Sequence, residues 1–260
     1  MEKLVSFQGP DFTLFGVEHK ADNAAGYILS CCGLNGDRTD IHRIGVQFAR
    51  CAARKGFSAL RFDYRGHGVS DEAFQRTSLV TKIQDIECVL GHLDPELPLY
   101  VIGFSDGVHV AGYLAERYPN RVRGVVLWSP LYTSLHSARQ AKVKIAKDKL
   151  YKELASPMLG LWFGMPYLKS LKIPMSIPTV PQPLLIVYGA SDPQVFPTVQ
   201  GLMDKNAHAE QVEIPDANHV YSDVRWKDQV FATTMDFLQK HSSHSSKEDV
   251  ELYRRQGEIS

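Results

Sequence analysis

Short, nearly continuous apolar runs alternate along the chain with segments whose apolar residues recur at helical spacing. The runs that predict strands are Ala25–Cys32, Phe57–Asp63, Leu99–Phe104, Val122–Ser129, Pro183–Gly189 and the shorter Gln211–Ile214. Strands that are apolar at almost every position are typical of a parallel sheet covered on both faces. Two weaker runs near the start, Leu4–Phe7 and Phe12–His19, predict an antiparallel pair at one edge of this sheet.

Amphipathic helices are predicted between these strands. Two sets of apolar residues, each on one helix face, are Ile41, Ile44, Phe48 and Cys51, and Ile83, Ile86, Leu90 and Leu93. A third set, in the last predicted helix Trp226–Gln239, is Val230, Phe231, Met235 and Leu238. Strands that alternate with helices imply βαβ units, so the pattern predicts an α/β fold with a mostly parallel sheet.

One segment interrupts the alternation, because no strand is predicted from Leu131 to Pro181. It contains a basic stretch, Ser137–Glu153, then an apolar and aromatic stretch, Met158–Leu168. A connection of about fifty residues is too long for a plain loop. We therefore expect a helical cap over residues 131–181, inserted into a core formed by residues 1–130 and 182–240. The serine- and histidine-rich residues 241–260 are expected to form a polar tail.

Composition and charge narrow the class of protein. The 29 basic residues balance the 29 acidic ones, which argues against a nucleic-acid-binding protein. No apolar run approaches the ~18 residues of a membrane span, and the N-terminal residues lack the pattern of a signal peptide. The four cysteines, two of them adjacent, form neither a disulfide framework nor a metal-binding C-x-x-C pair. We therefore expect a cytoplasmic protein without a metal site.

The candidate chemistry centres on a serine. Gly103-Phe104-Ser105-Asp106-Gly107 matches the pattern G-x-S-x-G, and it stands between a predicted strand and a predicted helix, Val108–Tyr118. In this context the serine sits on a sharp turn, and the flanking glycines avoid a clash of the neighbouring backbones. Ser105 is therefore the candidate nucleophile, although a purely structural turn remains the alternative.

A serine nucleophile needs a base and a carboxylate that orients the base. Among the ten histidines, His219 is preferred because it lies between a late strand and the final helix. Asp192 follows a strand and is expected at the carboxyl edge of the sheet, where such folds bind their ligands. Asp216 is the rival carboxylate, on the histidine's own loop, and Asp63 is expected to hold the turn that follows it.

Two backbone amides are candidates for an oxyanion hole. One is the N–H of Asp106, directly after the nucleophile, and the other is the N–H of Leu34 in the loop after the Ala25–Cys32 strand. The next segment, Asp37–Asp40, is close enough in sequence to reach the mouth of the site. Its simpler interpretation is helix N-capping by Thr39 or Asp40.

These segments together resemble the α/β-hydrolase superfamily, in particular the capped esterases of the serine aminopeptidase and monoglyceride lipase type and the bacterial cinnamoyl and feruloyl esterases. The residues that carry the resemblance are Gly33-Leu34, Asp63-Tyr64-Arg65-Gly66-His67-Gly68-Val69-Ser70, Gly103–Gly107, Gly189–Asp192 and His219. The resemblance implies an eight-stranded, mostly parallel sheet, a cap after the sixth strand, a Ser-His-Asp triad and no cofactor. The sequence departs from the family pattern at Cys32, where a histidine is usual, and at Val108, where a glycine is usual.

The substrate is less constrained by the sequence. Trp162, Phe163 and Tyr167 are candidates for an apolar acyl-binding wall, or they simply pack the cap against the core. The basic stretch is a solvated face or an attraction for coenzyme A or an acidic acyl carrier protein. We therefore predict hydrolysis of a carboxylic ester with a small to medium apolar or aromatic acyl group. The alternatives are a thioesterase, an acyltransferase and, as the least favoured, a non-catalytic binding protein.

Overall fold

The strands predicted from the apolar runs form one large sheet. The computed structural model of the chain describes residues 1–132, 145–147, 153–158, 160–170 and 177–242. The strands of the large sheet are β1 Glu2–Gln8, β2 Thr13–His19, β3 Tyr27–Cys31, β4 Ser58–Phe62, β5 Leu99–Phe104, β6 Val122–Trp128, β10 Leu184–Gly189 and β11 Glu210–Ile214. These eight strands pair in the order β1-β2-β4-β3-β5-β6-β10-β11.

The pairing follows from the hydrophobic patterning. The pairs β4–β3, β3–β5, β5–β6, β6–β10 and β10–β11 are parallel, whereas β1 pairs antiparallel with β2 and β2 antiparallel with β4. Every residue of β4 and β5 is buried, as expected for strands covered on both faces. Each predicted strand lies within two residues of its observed bounds, and the predicted antiparallel edge is confirmed.

Helices cover both faces of the sheet. Their bounds are α1 Ile44–Arg54, α2 Leu79–Leu90, α3 Val108–Arg117, α4 Met165–Ser170, α5 Phe196–Lys205 and α6 Val224–Ser242. Buried residues of α2, α3 and α5 share one apolar cluster with one face of the sheet. Those of α1 and α6 share a second cluster with the opposite face. Among the described residues, no helix is long and apolar enough to cross a membrane.

Two sequence-based boundaries are wrong at the helix ends. Ile41 was placed on the buried face of the first helix, but it lies in a separate turn of 3-10 helix, Ile41–Arg43, and is 40% exposed. The turn and α1 are separated by residues with positive φ, at His42 and Arg43. At the other end of the chain, α6 continues to Ser242, so the helix includes His241, which was assigned to the tail.

The segment between β6 and β10 contains strands as well as helix. Its described residues form a small antiparallel sheet of β7 Ala146–Lys147, β8 Leu154–Met158 and β9 Leu161–Gly164, followed by α4. The expectation of a segment without strands is therefore wrong. Phe163, Tyr167 and Leu168 form its buried cluster, against which Leu34 and Phe74 of the core pack. The segment follows the sixth strand of the large sheet, as expected, while its boundaries as a separate domain stay a prediction.

Candidate active site

Ser105 occupies a strained turn at the carboxyl end of β5. Its φ is 53°, a left-handed conformation that non-glycine residues rarely adopt. A Cβ atom at Gly103 would lie 2.9 Å from the Cα of Val108, and one at Gly107 would lie 2.1 Å from the carbonyl oxygen of Cys31. Both flanking glycines of G-x-S-x-G are thus required by close contacts, which agrees with the geometry expected of a nucleophile elbow.

The close packing at Gly107 leads to a stability prediction. Gly107→Ala places a methyl group against the backbone of β3, so we expect a loss of about 1–3 kcal/mol in the free energy of unfolding, as for overpacked core sites. Gly91→Ala is the matched control, because Gly91 has φ −64° and its nearest neighbour would be 3.5 Å from the new Cβ. Urea denaturation followed by circular dichroism measures both. Equal midpoints for the two variants would contradict the packing argument.

His219 lies within hydrogen-bond distance of both Ser105 and Asp192. His219 Nε2 lies 2.9 Å from Ser105 Oγ, and His219 Nδ1 lies 2.6 Å from Asp192 Oδ2. Asp192 is only 3% exposed and follows β10, whereas His219 is partly exposed on the loop after β11. The arrangement can take a proton from the serine hydroxyl and stabilise the resulting imidazolium with a buried carboxylate.

Neither of the two other candidate carboxylates, Asp216 and Asp63, forms a hydrogen bond with His219. Asp216 is exposed, and no hydrogen bond joins its side chain to another described residue. Asp63 is fully buried and accepts hydrogen bonds from the backbone N–H groups of Arg38, at 2.6 Å, and Val69, at 2.9 Å. It also forms an ion pair with the Arg38 guanidinium. Asp63 therefore holds the turn that follows it, as predicted.

Two other side chains that can in principle act as a base or a nucleophile, His67 and Cys31, are poorly suited to the role. His67 lies between two carbonyl oxygens, with Nδ1 3.0 Å from Arg65 O and Nε2 3.2 Å from Leu34 O. Burial, together with the nearby Lys82 ammonium, lowers the pKa of His67 to about 4, so the ring stays neutral. Burial raises the pKa of the Cys31 thiol to about 12, which leaves it far from the thiolate form that acts as a nucleophile.

The two predicted oxyanion donors belong to the residue after the serine and to a loop that approaches the serine closely. Asp106 belongs to the first turn after β5, where backbone N–H groups have no partner within the helix. The loop that carries Leu34 approaches closely, since a Cβ atom on Gly33 would lie 3.4 Å from Ser105 Cβ. No described residue accepts a hydrogen bond from the N–H of Leu34. The N–H groups of Leu34 and Asp106 thus have no acceptor among the described residues, and their role as an oxyanion hole stays a prediction.

A cavity of about 660 Å³ opens at this point. Its lining combines apolar and polar residues, namely Gly33, Leu34, Asn35, Gly36, Asp37, Thr39, Asp40, Ile41, Phe104, Ser105, Leu131, Gln194, His219 and Val220. The segment Asp37–Asp40 thus reaches the site, and Asp40 also caps the turn of helix that follows by accepting from Ile41 N–H at 2.9 Å. Loss of hydration raises the pKa of the Asp40 carboxyl to about 7.

The aromatic residues proposed as an acyl-binding wall are not among those that line this cavity. Phe163 and Tyr167 are buried and pack on each other, with ring centres 5.1 Å apart, and Phe163 also packs on Phe74. Trp162 is only partly buried. In the described residues, Phe163 and Tyr167 therefore match the other interpretation, in which they attach the inserted segment to the core. A role of the three in substrate binding stays a prediction.

The sequence analysis does not identify Lys82, although this residue contacts both segments that are predicted to form the oxyanion hole. Its Nζ donates to Gly33 O at 3.1 Å and lies 3.4 Å from Asp106 Oδ2. The helical period offered a clue, because Lys82 stands four residues before the buried Ile86 on α2 and so shares its face. The described residues contain no group of three or more His, Cys, Asp or Glu side chains that could hold a metal ion.

The amino-acid sequence matches the model of a known protein family. The family model of the serine aminopeptidases, S33, matches residues 26–159. No curated protein matches the chain in sequence. Among solved structures, Est1E from Butyrivibrio proteoclasticus with bound ferulic acid is 19% identical, with a TM-score of 0.78, and the match covers 92% of this chain and 99% of Est1E.

Two further structures have the same fold. Alpha/beta hydrolase domain-containing protein 10 from mouse is 16% identical, with a TM-score of 0.75, over 92% of this chain and 99% of that protein. The thioesterase domain from the curacin biosynthetic pathway is 16% identical, with a TM-score of 0.65, and the match again covers 92% of this chain and 99% of that domain. At these identities the likeness establishes the fold and leaves the substrate open.

Proposed function

Because the chain belongs to the serine aminopeptidase (S33) family of α/β-hydrolases, we propose that it hydrolyses carboxylic esters through an acyl-enzyme formed on Ser105. The family supports a hydrolase that acts on esters or similar substrates. The observation that carries the finer proposal is the chain of two hydrogen bonds, 2.9 Å and 2.6 Å long, from Ser105 through His219 to Asp192. It stands at the wall of a cavity that can admit a small molecule.

The reaction proceeds in two half-reactions. His219 removes the proton from Ser105 Oγ, which attacks the ester carbonyl, and the negatively charged oxygen accepts hydrogen bonds from the N–H groups of Leu34 and Asp106. His219 then protonates the departing alcohol. In the second half-reaction His219 takes a proton from a water molecule, whose oxygen attacks the acyl carbon. The bond to Ser105 Oγ then breaks, His219 returns the proton to Ser105, and the acid leaves. Asp192 keeps the proton of the neutral imidazole on Nδ1, so that Nε2 is free to act as the base.

The lining of the cavity supports an apolar or aromatic acyl group, for which we propose a small to medium size. The apolar residues of its lining include Leu34, Ile41, Phe104, Leu131 and Val220, and the polar ones include Asn35, Asp37, Thr39, Asp40 and Gln194. An apolar or aromatic acyl group can pack on the first set, while hydrogen-bonding groups of the substrate can face the second.

A thioester is the second substrate class that we consider, because the same acyl-enzyme forms from either. Attraction of coenzyme A or an acidic acyl carrier protein by the basic stretch Ser137–Glu153 stays a prediction, since most of that stretch lies outside the described residues. Transfer of the acyl group to an alcohol in place of water uses the same groups. These activities differ in their products, so one set of assays separates them.

Active-site labelling and matched substrates test the proposal. We expect a fluorophosphonate probe to modify Ser105, as identified by mass spectrometry. We also expect turnover of p-nitrophenyl acetate and butyrate with a higher kcat/KM than the decanoate. The acetyl and butyryl thioesters of coenzyme A are assayed in parallel, and products are analysed with and without added methanol. Absence of both labelling and turnover would contradict a hydrolase function.

A faster reaction with the thioesters than with the matched esters would replace the ester proposal with a thioesterase. A methyl ester that forms in preference to the free acid would identify an acyltransferase. Labelling of a residue other than Ser105 would retain a hydrolase but overturn the assignment of its nucleophile.

A further inference from the structure

Lys82 is a buried cation in contact with both segments of the predicted oxyanion hole. It projects from α2 with 3% of its side chain exposed, and its ammonium lies 5.2 Å from the centre of the Tyr64 ring. Transfer of a lysine ammonium from water into the protein interior costs free energy, and the attraction of a single ion pair rarely compensates for this cost in full. A position that stabilised only the fold would be occupied equally well by an apolar side chain. The placement therefore points to a role of the charge itself.

The first contact of Lys82 is with the peptide group that carries one oxyanion donor. Its Nζ donates to the carbonyl oxygen of Gly33 at 3.1 Å, and that carbonyl shares a peptide plane with the N–H of Leu34. The described residues contain no cis peptide bonds, so this C=O and N–H point in opposite directions. An ammonium on the carbonyl side thus fixes the plane and polarises it, which makes the N–H a stronger donor towards Ser105.

The second contact of Lys82 is with the residue that supplies the other donor. Asp106 follows the nucleophile, and its carboxylate Oδ2 lies 3.4 Å from Lys82 Nζ. An unpaired carboxylate at this position would oppose a negative charge that develops at the adjacent backbone amide. The side chain of His109 is next nearest, at 3.8 Å from Oδ1, and burial lowers its pKa, which favours the neutral ring. The compensating charge therefore comes from Lys82.

We propose that Lys82 is a positioning residue of the oxyanion hole, which polarises the Gly33–Leu34 peptide and neutralises the Asp106 carboxylate. The inference rests on the proposed function, because it needs an oxyanion at Ser105. It also assigns Asp106 a side-chain partner within the protein rather than in the substrate, in agreement with its absence from the lining of the described cavity. The expected consequence is a transition-state effect with little influence on substrate binding.

Lys82→Met tests the proposal, since methionine preserves an unbranched side chain and removes the charge. We expect kcat to fall about 10- to 100-fold with KM changed less than threefold. This loss is smaller than the roughly 10²- to 10³-fold cost of deleting an oxyanion donor. The affinity for a trifluoromethyl ketone, which forms a tetrahedral oxyanion with a catalytic serine, should fall in parallel. The rate constant of fluorophosphonate labelling should fall as well.

Lys227→Met is the matched control, because Lys227 is also a buried lysine on a helix. It lines a separate cavity with Gln47, Cys51 and Arg54. We expect its kcat, inhibitor affinity and labelling rate to stay within twofold of those of the unmodified protein. A loss equal to that of Lys82→Met would mean that removal of any buried lysine disturbs activity, and it would overturn the proposal.

The double variant Lys82→Met/Asp106→Asn separates the polarisation of the Gly33–Leu34 peptide from the neutralisation of the Asp106 carboxylate. It also removes the unpaired, partly buried carboxylate that could destabilise Lys82→Met. It leaves no unpaired carboxylate, and the asparagine side chain leaves the backbone N–H of this position in place. We expect its kcat to lie between those of Lys82→Met and the unmodified protein, because the repulsion is removed while the polarisation of Gly33 O is still missing. Full recovery of kcat would show that polarisation of the Gly33–Leu34 peptide does not contribute. If kcat stays as low as in Lys82→Met, neutralisation of the Asp106 carboxylate does not contribute. Thermal denaturation confirms that each variant is folded at the assay temperature.

The outcomes distinguish this proposal from the proposed function. If the unmodified protein is labelled at Ser105 and Lys82→Met keeps its kcat, labelling rate and inhibitor affinity, only the role of Lys82 is overturned. If the unmodified protein neither reacts with the probe nor turns over an ester or thioester, both are overturned. A fall in labelling rate and inhibitor affinity without a comparable rise in KM supports the assignment.

Discussion

Replacement of Ser105 by alanine is expected to reduce kcat by roughly 10⁵- to 10⁶-fold, the scale of loss when a member of a serine hydrolase triad is removed. The side chain lies 2.9 Å from His219 Nε2 at the cavity wall, and alanine leaves no atom that can attack the carbonyl. We expect the free energy of unfolding to change by about 1 kcal/mol or less, because alanine removes one hydrogen bond and no apolar contact. Discontinuous assays with long incubation and a p-nitrophenyl ester measure the residual kcat of the variant.

Ser191→Ala provides the matched control. Ser191 is an exposed serine beside Asp192 in the loop after β10, so its replacement tests whether any loss of hydroxyl near the site reduces turnover. We expect activity within a factor of two of the unmodified protein. Near-normal activity of Ser105→Ala would contradict the assignment of Ser105 as the nucleophile. If the circular dichroism spectrum of this variant is that of an unfolded protein, its loss of activity is due to unfolding.

Asp192→Asn is expected to reduce kcat by about 10⁴-fold while preserving the fold, as when the orienting carboxylate of such a triad is replaced by an amide. The carboxylate accepts a hydrogen bond from His219 Nδ1 at 2.6 Å. An amide in its place can donate to Nδ1, which moves the imidazole proton to Nε2, so that the ring can no longer remove a proton from Ser105. The expected effect is therefore on the tautomer and charge of His219.

Asp216→Asn discriminates between the two carboxylates near His219. Asp216 is exposed on the same loop as the histidine, and we expect the variant to retain at least a third of the unmodified kcat. Steady-state kinetics of both variants with one ester compare them directly. A large loss in Asp216→Asn together with a small loss in Asp192→Asn would show that the orienting carboxylate has been assigned to the wrong residue.

Much of the fold is encoded in local apolar patterns, and these were sufficient to locate the main sheet. The strand Leu99–Phe104 was predicted with its observed bounds, because its apolar run is continuous and a glycine-rich turn ends it. Strand order depends on pairings between distant segments, which apolar runs alone do not specify. The resemblance to the α/β-hydrolases supplied the number of strands, eight, which the structure contains, whereas their order is known only from the structure.

The inserted segment shows the limit of such patterns. Leu161–Gly164 forms a strand that pairs with β8, although its sequence Leu161-Trp162-Phe163-Gly164 is short and apolar, as a buried helix can also be. Periodicity cannot distinguish a helix from a strand over four residues. The aromatic side chains were also ambiguous, because packing within the protein and contact with a substrate require the same apolar surface.

The candidate triad was predictable because each residue stands at a recognisable place in the chain order. Ser105 follows a strand within G-x-S-x-G, Asp192 follows β10, and His219 follows β11. Lys82 was missed because it belongs to no motif, and its relation to Gly33 and Asp106 exists only after the sheet has formed. Residues that act through other residues are generally harder to find in sequence than those that meet a substrate.

Direct observation of the acyl-enzyme tests the central claim, that Ser105 becomes acylated during turnover. The unmodified protein is mixed with p-nitrophenyl butyrate, quenched with acid in the first turnovers and analysed by intact-protein and peptide mass spectrometry. We expect a mass increase of one butyryl group on the peptide that contains Ser105, formed as fast as the nitrophenol burst and absent from Ser105→Ala. Acylation of another residue, with the same burst in Ser105→Ala, would contradict the account.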